Sequence, residues 1–119
     1  MIKLIATDVD GTLVKDGTMQ IDTEYMTVIK ELAQKGIIFA VCSGRQFISE
    51  RKLFAPIKDQ LLYITDGGTV VRTPHEILMV HTMPRDVWSG MCRMVQEQMP
   101  HCDCFVATPD YCLAEDAGS

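Results

Sequence analysis

The sequence predicts an α/β fold built on a parallel sheet. Three mainly apolar runs of strand length occupy residues 1–6, 37–42 and 61–64, and polar or glycine residues follow each of them directly. Apolar residues at helical spacing separate the first two runs, so strand, helix and strand make one βαβ unit. The crossover of such a unit is right-handed and places its two strands side by side and parallel.

The composition fits one domain at most, or part of a larger one. The chain has 119 residues, of which 47% are hydrophobic, and a formal net charge of −5. This charge argues against a nucleic-acid partner and against binding to an anionic membrane. It leaves a phosphorylated substrate open, because a metal ion and a few local donors can neutralise phosphate inside a cleft.

Sequence features that bear on location indicate the cytoplasm. Asp8 and Asp10 interrupt the apolar stretch that a secretory signal would need, and no apolar run approaches transmembrane length. The five cysteines are an odd number without the spacing of a disulfide framework. Reduced thiols in the cytoplasm are therefore the favoured interpretation.

The first helix is predicted to begin near Asp22 or Thr23, either of which can serve as its N-cap, and to end before Gly36. Ahead of it, Lys15-Asp16-Gly17 predicts a turn. Apolar residues recur at helical spacing in this segment, at Tyr25, Val28, Ile29 and Leu32.

A second helix and a hairpin are predicted in the middle of the chain. The helix covers residues 46–53, because Pro56 disfavours helical residues ahead of it. Residues 69–72 and 77–80 flank a short turn and predict two antiparallel strands.

The C-terminal third predicts a helix from about Pro84 to Pro100 with an apolar stripe, followed by strands at 101–107 and 111–114. A zinc site there would draw on His101, Cys102, Cys104 and Cys112. Their spacing lacks the C-x₂₋₄-C and paired-histidine pattern of structural zinc sites, so ordinary thiols are favoured.

Two carboxylates follow the first strand, in the run Asp8-Val9-Asp10-Gly11-Thr12-Leu13. Ligands of open parallel sheets bind beyond the carboxyl ends of the strands, and residues two apart on a strand face the same way. Asp8 and Asp10 can therefore share one volume, where their repulsion favours a cation such as Mg²⁺. One carboxylate can attack phosphorus while the other moves the proton. The alternative is a strand-end turn, made at Gly11, whose aspartates only cap the next element.

The second strand ends in Ser43-Gly44-Arg45. Its hydroxyl and backbone N–H groups, at the start of the next helix, can form an anion site. The alternative is that Ser43 is only an N-cap, but its pairing with the first motif favours the anion site. Arg45 either clamps phosphate or pairs with a carboxylate. Asp66 ends the third strand at the same edge, as a substrate contact or as a turn-forming residue.

These motifs resemble those of a known family. Residues 2–13 resemble the first motif of the haloacid-dehalogenase-like (HAD) hydrolases, and residues 41–45 resemble their second. The spacing is most similar to the Cof-type branch of sugar-phosphate phosphatases. This resemblance covers nearly the whole chain. It implies part of a Rossmannoid three-layer core with a parallel sheet at residues 1–80, and the start of an α/β cap at residues 81–119.

The resemblance also implies an activity and the residues that perform it. The activity is Mg²⁺-dependent hydrolysis of a small phosphorylated metabolite through an aspartyl-phosphate. Asp8 is the implied nucleophile, Asp10 the general acid/base, and both are implied metal ligands. The implied phosphate-binding residues are Gly11, Thr12, Ser43 and Gly44. A catalytically silent module that binds phosphate and Mg²⁺, and a mutase-type phosphotransferase, remain alternatives.

Two parts of the family mechanism are expected beyond residue 119: a lysine beside the aspartyl-phosphate and a further acidic motif. The late pair Glu115-Asp116 is interpreted as a polar tail. With fewer oxygen ligands and without the lysine, we expect weaker Mg²⁺ binding and weaker charge stabilisation. The first strand, central in the family, would here be an apolar edge, which predicts self-association through that edge or poor stability.

Overall fold

The computed structural model describes residues 1–15 and 18–114, and three parallel strands form its centre. They are β1 (Leu4–Asp8), β2 (Ile38–Cys42) and β3 (Leu61–Thr65), in the spatial order β1-β2-β3. The register brings Asp8, Cys42 and Ile64 to the same level. The predicted parallel strands are confirmed, and they end at one common edge.

A hairpin extends the sheet beyond β3 and makes it mixed. Strands β4 (Val70–Arg72) and β5 (Ile77–Val80) each run antiparallel to the preceding strand, giving the order β1-β2-β3-β4-β5. The predicted hairpin is confirmed. The hairpin ends the parallel pairing on the β3 side of the sheet, because the connection at residues 66–69 is far shorter than the dozen residues that a parallel crossover needs.

Helix α1 (Thr23–Gln34) joins β1 to β2. Of the two predicted caps the structure uses Asp22, whose carboxylate accepts the backbone N–H of Glu24 at 2.9 Å. The chain leaves the helix at Gly36, whose φ of 77° is a left-handed conformation that glycine adopts without strain.

Helix α2 (Phe47–Leu53) leads through a 3₁₀ segment (Ala55–Gln60) into β3. Right-handed crossovers place α1 and α2 on the same face of the parallel strands, so sheet and helices form two of the three predicted layers. The core between these two layers consists of buried apolar residues: Val9, Val14, Ile21, Ile29, Phe39, Val41, Phe47, Leu53, Phe54, Ile57, Leu61 and Tyr63.

Tyr63 lies at the centre of this core. Its ring meets Phe47 edge to face, with 4.9 Å between the ring centroids, and its hydroxyl donates to the Lys58 carbonyl at 2.7 Å. The Arg72 guanidinium also lies over the Phe47 ring, 3.8 Å from the ring centroid. These contacts fix α2 against β3 and β4 and so fix the loop that precedes α2.

A smaller unit follows β5. It comprises α3 (Arg85–Gln98) and the antiparallel pair β6 (Phe105–Ala107) and β7 (Cys112–Ala114). Gln46 Nε2 reaches the turn between β6 and β7, donating to the carbonyls of Thr108 at 3.1 Å and Tyr111 at 3.0 Å. The same turn holds Asp110, which accepts from Arg72 Nη1 at 2.8 Å. These contacts attach the small unit to the sheet.

Helix α3 has the predicted apolar stripe, yet no residue of it is fully buried. No helix within residues 1–15 and 18–114 combines the length and apolar character that crossing a bilayer requires. All five cysteines are free thiols, and the Sγ atoms of Cys92 and Cys104 lie 3.3 Å apart. Residues 16 and 17 of the predicted turn and the predicted tail at Glu115-Asp116 lie outside the described residues.

We expect Tyr63→Phe to lower the free energy of unfolding by about 1 kcal/mol, because the variant loses the buried hydrogen bond to the Lys58 carbonyl. Urea unfolding followed by circular dichroism measures the change. Tyr25→Phe is the matched control, since Tyr25 is an exposed tyrosine of α1, and its stability should stay at the wild-type value. Equal stabilities for the two variants would contradict a structural role for the Tyr63 hydroxyl.

Candidate functional site

The two motifs meet where β1 and β2 end. Asp8 is the register partner of Cys42, which immediately precedes Ser43. Burial raises the pKa of the Cys42 thiol, and the charges of Asp8 and Glu50 raise it further. Both carboxylates therefore lie within electrostatic reach of the end of β2. The structure places the first two motifs in one region of the sheet edge.

A tight turn follows β1 and displays its aspartates. The carbonyl of Val9 accepts the backbone N–H groups of Thr12, Leu13 and Val14 at 3.2, 2.9 and 3.0 Å. The buried side chains of Val9 and Val14 anchor the turn in the core. Gly11 has a φ of 82°, so the predicted sharp turn at this glycine is confirmed. The aspartates on either side of Val9 remain exposed.

The Asp8 carboxylate accepts a hydrogen bond from the Thr12 hydroxyl at 3.3 Å. This contact is long and involves an uncharged donor, so it restrains the carboxylate only weakly. An exposed and weakly held carboxylate is available to attack an electrophile or to bind a cation.

Asp10 is held much more firmly, by Arg45. The guanidinium donates through Nη2 to Asp10 Oδ1 at 2.6 Å and through Nε to Oδ2 at 3.0 Å, a bidentate pair. The hydrogen bond from Arg45 holds the pKa of Asp10 below its ordinary value, and the same contact raises the pKa of Arg45. Of the two roles predicted for Arg45, the structure shows the pairing with a carboxylate.

Ser43 is not the N-cap of the following helix. The N-cap of α2 is Gln46, three residues later. The Ser43 hydroxyl instead accepts the backbone N–H of Arg45 at 3.0 Å and donates to Oε1 of Glu50. A Cβ added to Gly44 would meet nothing within 4 Å, so the peptide next to Ser43 borders open space.

Glu50 is the site residue that sequence reasoning missed. It lies on the inward face of α2, between Phe47 and Leu53, and its exposed fraction is 0%. Burial raises the pKa of this carboxyl, and the hydrogen bond from Ser43 opposes that rise. One sequence signal could have identified it. Glu50 lies three residues after Phe47 and three before Leu53, so it shares a helix face with two core residues.

The loop after β3 is joined to the loop after β2 by two backbone hydrogen bonds. The N–H of Asp66 donates to the Arg45 carbonyl at 2.9 Å, and the N–H of Gly67 donates to the Ser43 carbonyl at 3.1 Å. Asp66 has a φ of 53°, a left-handed conformation that aspartate tolerates in turns. Its carboxylate accepts from the Thr65 hydroxyl at 2.9 Å, and its left-handed backbone forms the turn after β3.

The carboxylates of Asp8 and Asp10 fit Mg²⁺ by ligand type, because this hard cation takes oxygen ligands. A carboxylate offers about four lone-pair positions, so Asp10 can bind a cation while it accepts from Arg45. Across residues 1–15 and 18–114, no three His, Cys, Asp or Glu side chains are grouped to hold a metal ion. Two carboxylates would leave several coordination positions to water and to a phosphate group.

An open groove of about 1120 Å³ runs from the strand-end loops to the small C-terminal unit. Gly44, Gln46 and Asp66 contribute one part of its lining, and Trp88 and Met91 of α3 contribute another. The groove is apolar on the side of α3 and polar where it meets the strand ends. A ligand with a phosphate at the strand ends could extend along it.

The chain is similar to two bacterial phosphatases over part of their length. It is 28% identical over 102 residues to 5-amino-6-(5-phospho-D-ribitylamino)uracil phosphatase YcsE of Bacillus subtilis, a match covering 86% of this chain and 34% of that protein. It is 31% identical over 67 residues to 5-amino-6-(5-phospho-D-ribitylamino)uracil phosphatase YbjI of Escherichia coli, covering 56% and 25%. The chain spans about a third of the length of these curated relatives, or less.

A solved structure from Eubacterium rectale is 71% identical in sequence, with a TM-score of 0.89. The match covers 99% of this chain and 44% of that one. A protein of high sequence identity therefore has the fold described above as part of a longer chain.

A family model described as haloacid dehalogenase-like hydrolase matches residues 5–117. This match includes both strand-end motifs, the hairpin and the small C-terminal unit, so the resemblance inferred from the motifs is confirmed. The chain belongs to the haloacid dehalogenase-like hydrolases.

Proposed function

We propose that this chain carries the phosphoryl-transfer site of a Mg²⁺-dependent phosphatase that hydrolyses a small, sugar-phosphate-like metabolite. The observation that carries the proposal is the meeting of Asp8, Asp10 and Ser43 at neighbouring strand ends. Relatives named as phosphatases support the reaction class. Because the chain spans only part of these relatives, the activity of the whole protein belongs to the proposal as well.

In the proposed reaction the exposed Asp8 carboxylate attacks phosphorus, and the bond to the leaving oxygen breaks. Asp10 gives its proton to that oxygen, which leaves as an alcohol. The aspartyl-phosphate is then hydrolysed by a water molecule that loses a proton to Asp10. Inorganic phosphate leaves, and Asp8 is restored. Mg²⁺ held by the two aspartates would neutralise charge on the phosphoryl oxygens.

The ion pair with Arg45 bears on both proton transfers of Asp10. Without a ligand, Arg45 favours the ionised form of Asp10, which is the form that accepts a proton from water. An incoming phosphate group brings negative charge beside Asp10 and competes for the guanidinium. Both effects favour the protonated form of Asp10 that the first step needs.

The phosphoryl oxygens are proposed to lie between the two strand-end loops. The backbone at Gly11 and Thr12 would contribute from one side, and the Ser43 hydroxyl with the Gly44 peptide from the other. Arg45 is proposed as a further contact of the phosphate group. Asp66 contributes indirectly, because its backbone N–H donates to the Arg45 carbonyl and so supports the loop after β2.

Residues 81–119 are proposed to begin a cap that helps to choose the substrate. The support is that α3, β6 and β7 lie outside the five-stranded sheet, yet α3 lines the groove that starts at the strand ends. The five free thiols fit a reducing compartment, and we propose the cytoplasm as the location.

We expect 4-nitrophenyl phosphate hydrolysis that requires Mg²⁺ and falls by about a thousandfold or more in Asp8→Asn, because the amide cannot act as the nucleophile. Initial rates with MgCl₂ and with EDTA measure both effects. Asp59→Asn is the control, because Asp59 is an exposed carboxylate at the opposite end of β3. Full turnover in Asp8→Asn, or turnover unaffected by EDTA, would refute the mechanism. Binding of Mg²⁺ and phosphate without turnover would instead support the catalytically silent module.

We expect Arg45→Met to raise the pKa of Asp10 toward its ordinary value, because the variant removes the bidentate donor. A group whose folded-state pKa is lowered stabilises the fold above its unfolded pKa and loses that contribution as pH falls through the folded value. The wild-type chain should therefore lose stability faster than Arg45→Met as the pH falls below about 4.

Carbon-13 NMR of the aspartate carboxyl groups in metal-free buffer measures this pKa directly. Arg51→Met is the matched control, since Arg51 lies on the next helix and near the Phe47 ring. An Asp10 pKa that is equal in wild type and Arg45→Met would contradict the ion pair.

We propose self-association through β1, which lies at the edge of the sheet formed by the described residues and exposes Leu4. Leu4→Lys should lower the weight-average mass measured by sedimentation at high concentration, because a charged side chain blocks strand pairing at an edge. Val28→Lys introduces the same charge on α1, at a side chain that is 48% exposed, and should leave association unchanged. A wild-type chain that is monomeric at all concentrations would exclude this interface.

A further inference from the structure

The Ser43 hydroxyl has no proton left for a phosphate group in the observed hydrogen-bond pattern. A hydroxyl supplies one donor and two acceptor positions. The single proton of Ser43 is donated to Glu50 Oε1, while its oxygen accepts the backbone N–H of Arg45. If Ser43 is to donate to a phosphoryl oxygen, the contact with Glu50 must reverse its direction.

The surroundings of Glu50 favour that reversal. The residue is 0% exposed, and among the described residues its Oε2 atom has no hydrogen-bond partner. A buried ionised carboxylate with one oxygen unpaired is costly, and protonation removes the charge.

Several titratable groups face Glu50 from the neighbouring elements. Arg45 lowers the pKa of Glu50 by its charge, and Asp10 raises it. The Cys42 thiol of β2 and the Tyr63 hydroxyl of β3 both have pKa values raised in part by the Glu50 charge. Burial outweighs the other causes, and the pKa of Glu50 is raised overall.

We propose that Glu50 is a positioning residue for Ser43, and that it takes up one proton when a tetrahedral anion binds, so that the Ser43 hydroxyl turns its proton to the anion. The inference rests on the proposed phosphate-binding role of Ser43. The proton that Glu50 gains comes from solvent. Neutral Glu50 then donates to the Ser43 oxygen, which also keeps the hydrogen bond from the Arg45 N–H. The Ser43 hydroxyl donates its own proton to the anion, so its one donor and two acceptor positions are all occupied.

The sign of the pH dependence follows from this exchange. Because protonated Glu50 leaves the Ser43 proton to the anion, anion binding favours protonation and raises the Glu50 pKa in the complex. Anion affinity therefore increases as the pH falls, by up to about tenfold per pH unit between the free and bound pKa values.

The test measures sulfate binding to the whole chain in the presence of Mg²⁺ by isothermal titration calorimetry, from about pH 5 to about pH 8. Sulfate is a tetrahedral dianion that does not titrate in this range, so proton uptake belongs to the protein. Wild type should bind more tightly at low pH, with proton uptake seen as a dependence of the binding heat on the buffer. Glu50→Gln should bind sulfate with much less pH dependence, because its amide donates to Ser43 at every pH.

His81→Asn is the control, because it removes the imidazole side chain that lines the groove. It should retain the wild-type pH dependence. If Glu50→Gln keeps that dependence, the assignment to Glu50 is wrong, whatever the behaviour of His81→Asn. If wild type binds no sulfate at any pH, the phosphate site of the proposed function fails instead.

A second measurement needs no variant and so does not depend on the folding of Glu50→Gln. Carbon-13 NMR follows the Glu50 carboxyl of the wild-type chain against pH, with and without saturating sulfate. A Glu50 pKa that is higher in the complex supports the proposal, and a pKa that is unchanged or lower overturns it.

Discussion

Arg45 ties the ends of the three parallel strands together. Its guanidinium holds Asp10 after β1, its N–H donates to the Ser43 hydroxyl after β2, and its carbonyl accepts from Asp66 after β3. Strand register alone brings the chain to the sheet edge but leaves the loops beyond it free to diverge. One residue with a bidentate side chain and two backbone contacts removes that freedom. The geometry of the proposed site therefore depends on the contacts of this residue.

Two acids near Arg45 have pKa values displaced in opposite directions. Asp10 is exposed and paired, so its pKa is lowered, whereas Glu50 is buried and its pKa is raised. Ionised Asp10 stabilises the fold above its unfolded pKa. Neutral Glu50 contributes to the stability of the fold below its own unfolded pKa, and this contribution is lost as the pH rises through its folded-state pKa. Such a separation allows one acid to remain charged beside another that gains a proton.

The sequence was sufficient to predict the parallel strands, the hairpin, the Asp22 cap and the turn at Gly11, because each depends on local periodicity or on one residue's conformational preference. It also predicted that Asp8 and Ser43 lie at neighbouring strand ends, since a βαβ unit leaves little choice of topology. It could not identify Glu50. Whether an acid on a short helix points to solvent or toward a serine depends on the rotation of that helix, which distant core residues determine.

The contact between the strand ends and the small C-terminal unit was also beyond prediction, for a related reason. Gln46 reaches two carbonyls of the β6–β7 turn across more than 60 positions of sequence, and neither carbonyl leaves a side-chain pattern to detect. Ser43, Arg45 and Gln46 lie within four consecutive positions, with contacts to Glu50, to Asp10 and to that turn, respectively. The same short loop therefore contacts both the proposed phosphate site and the unit that lines the groove.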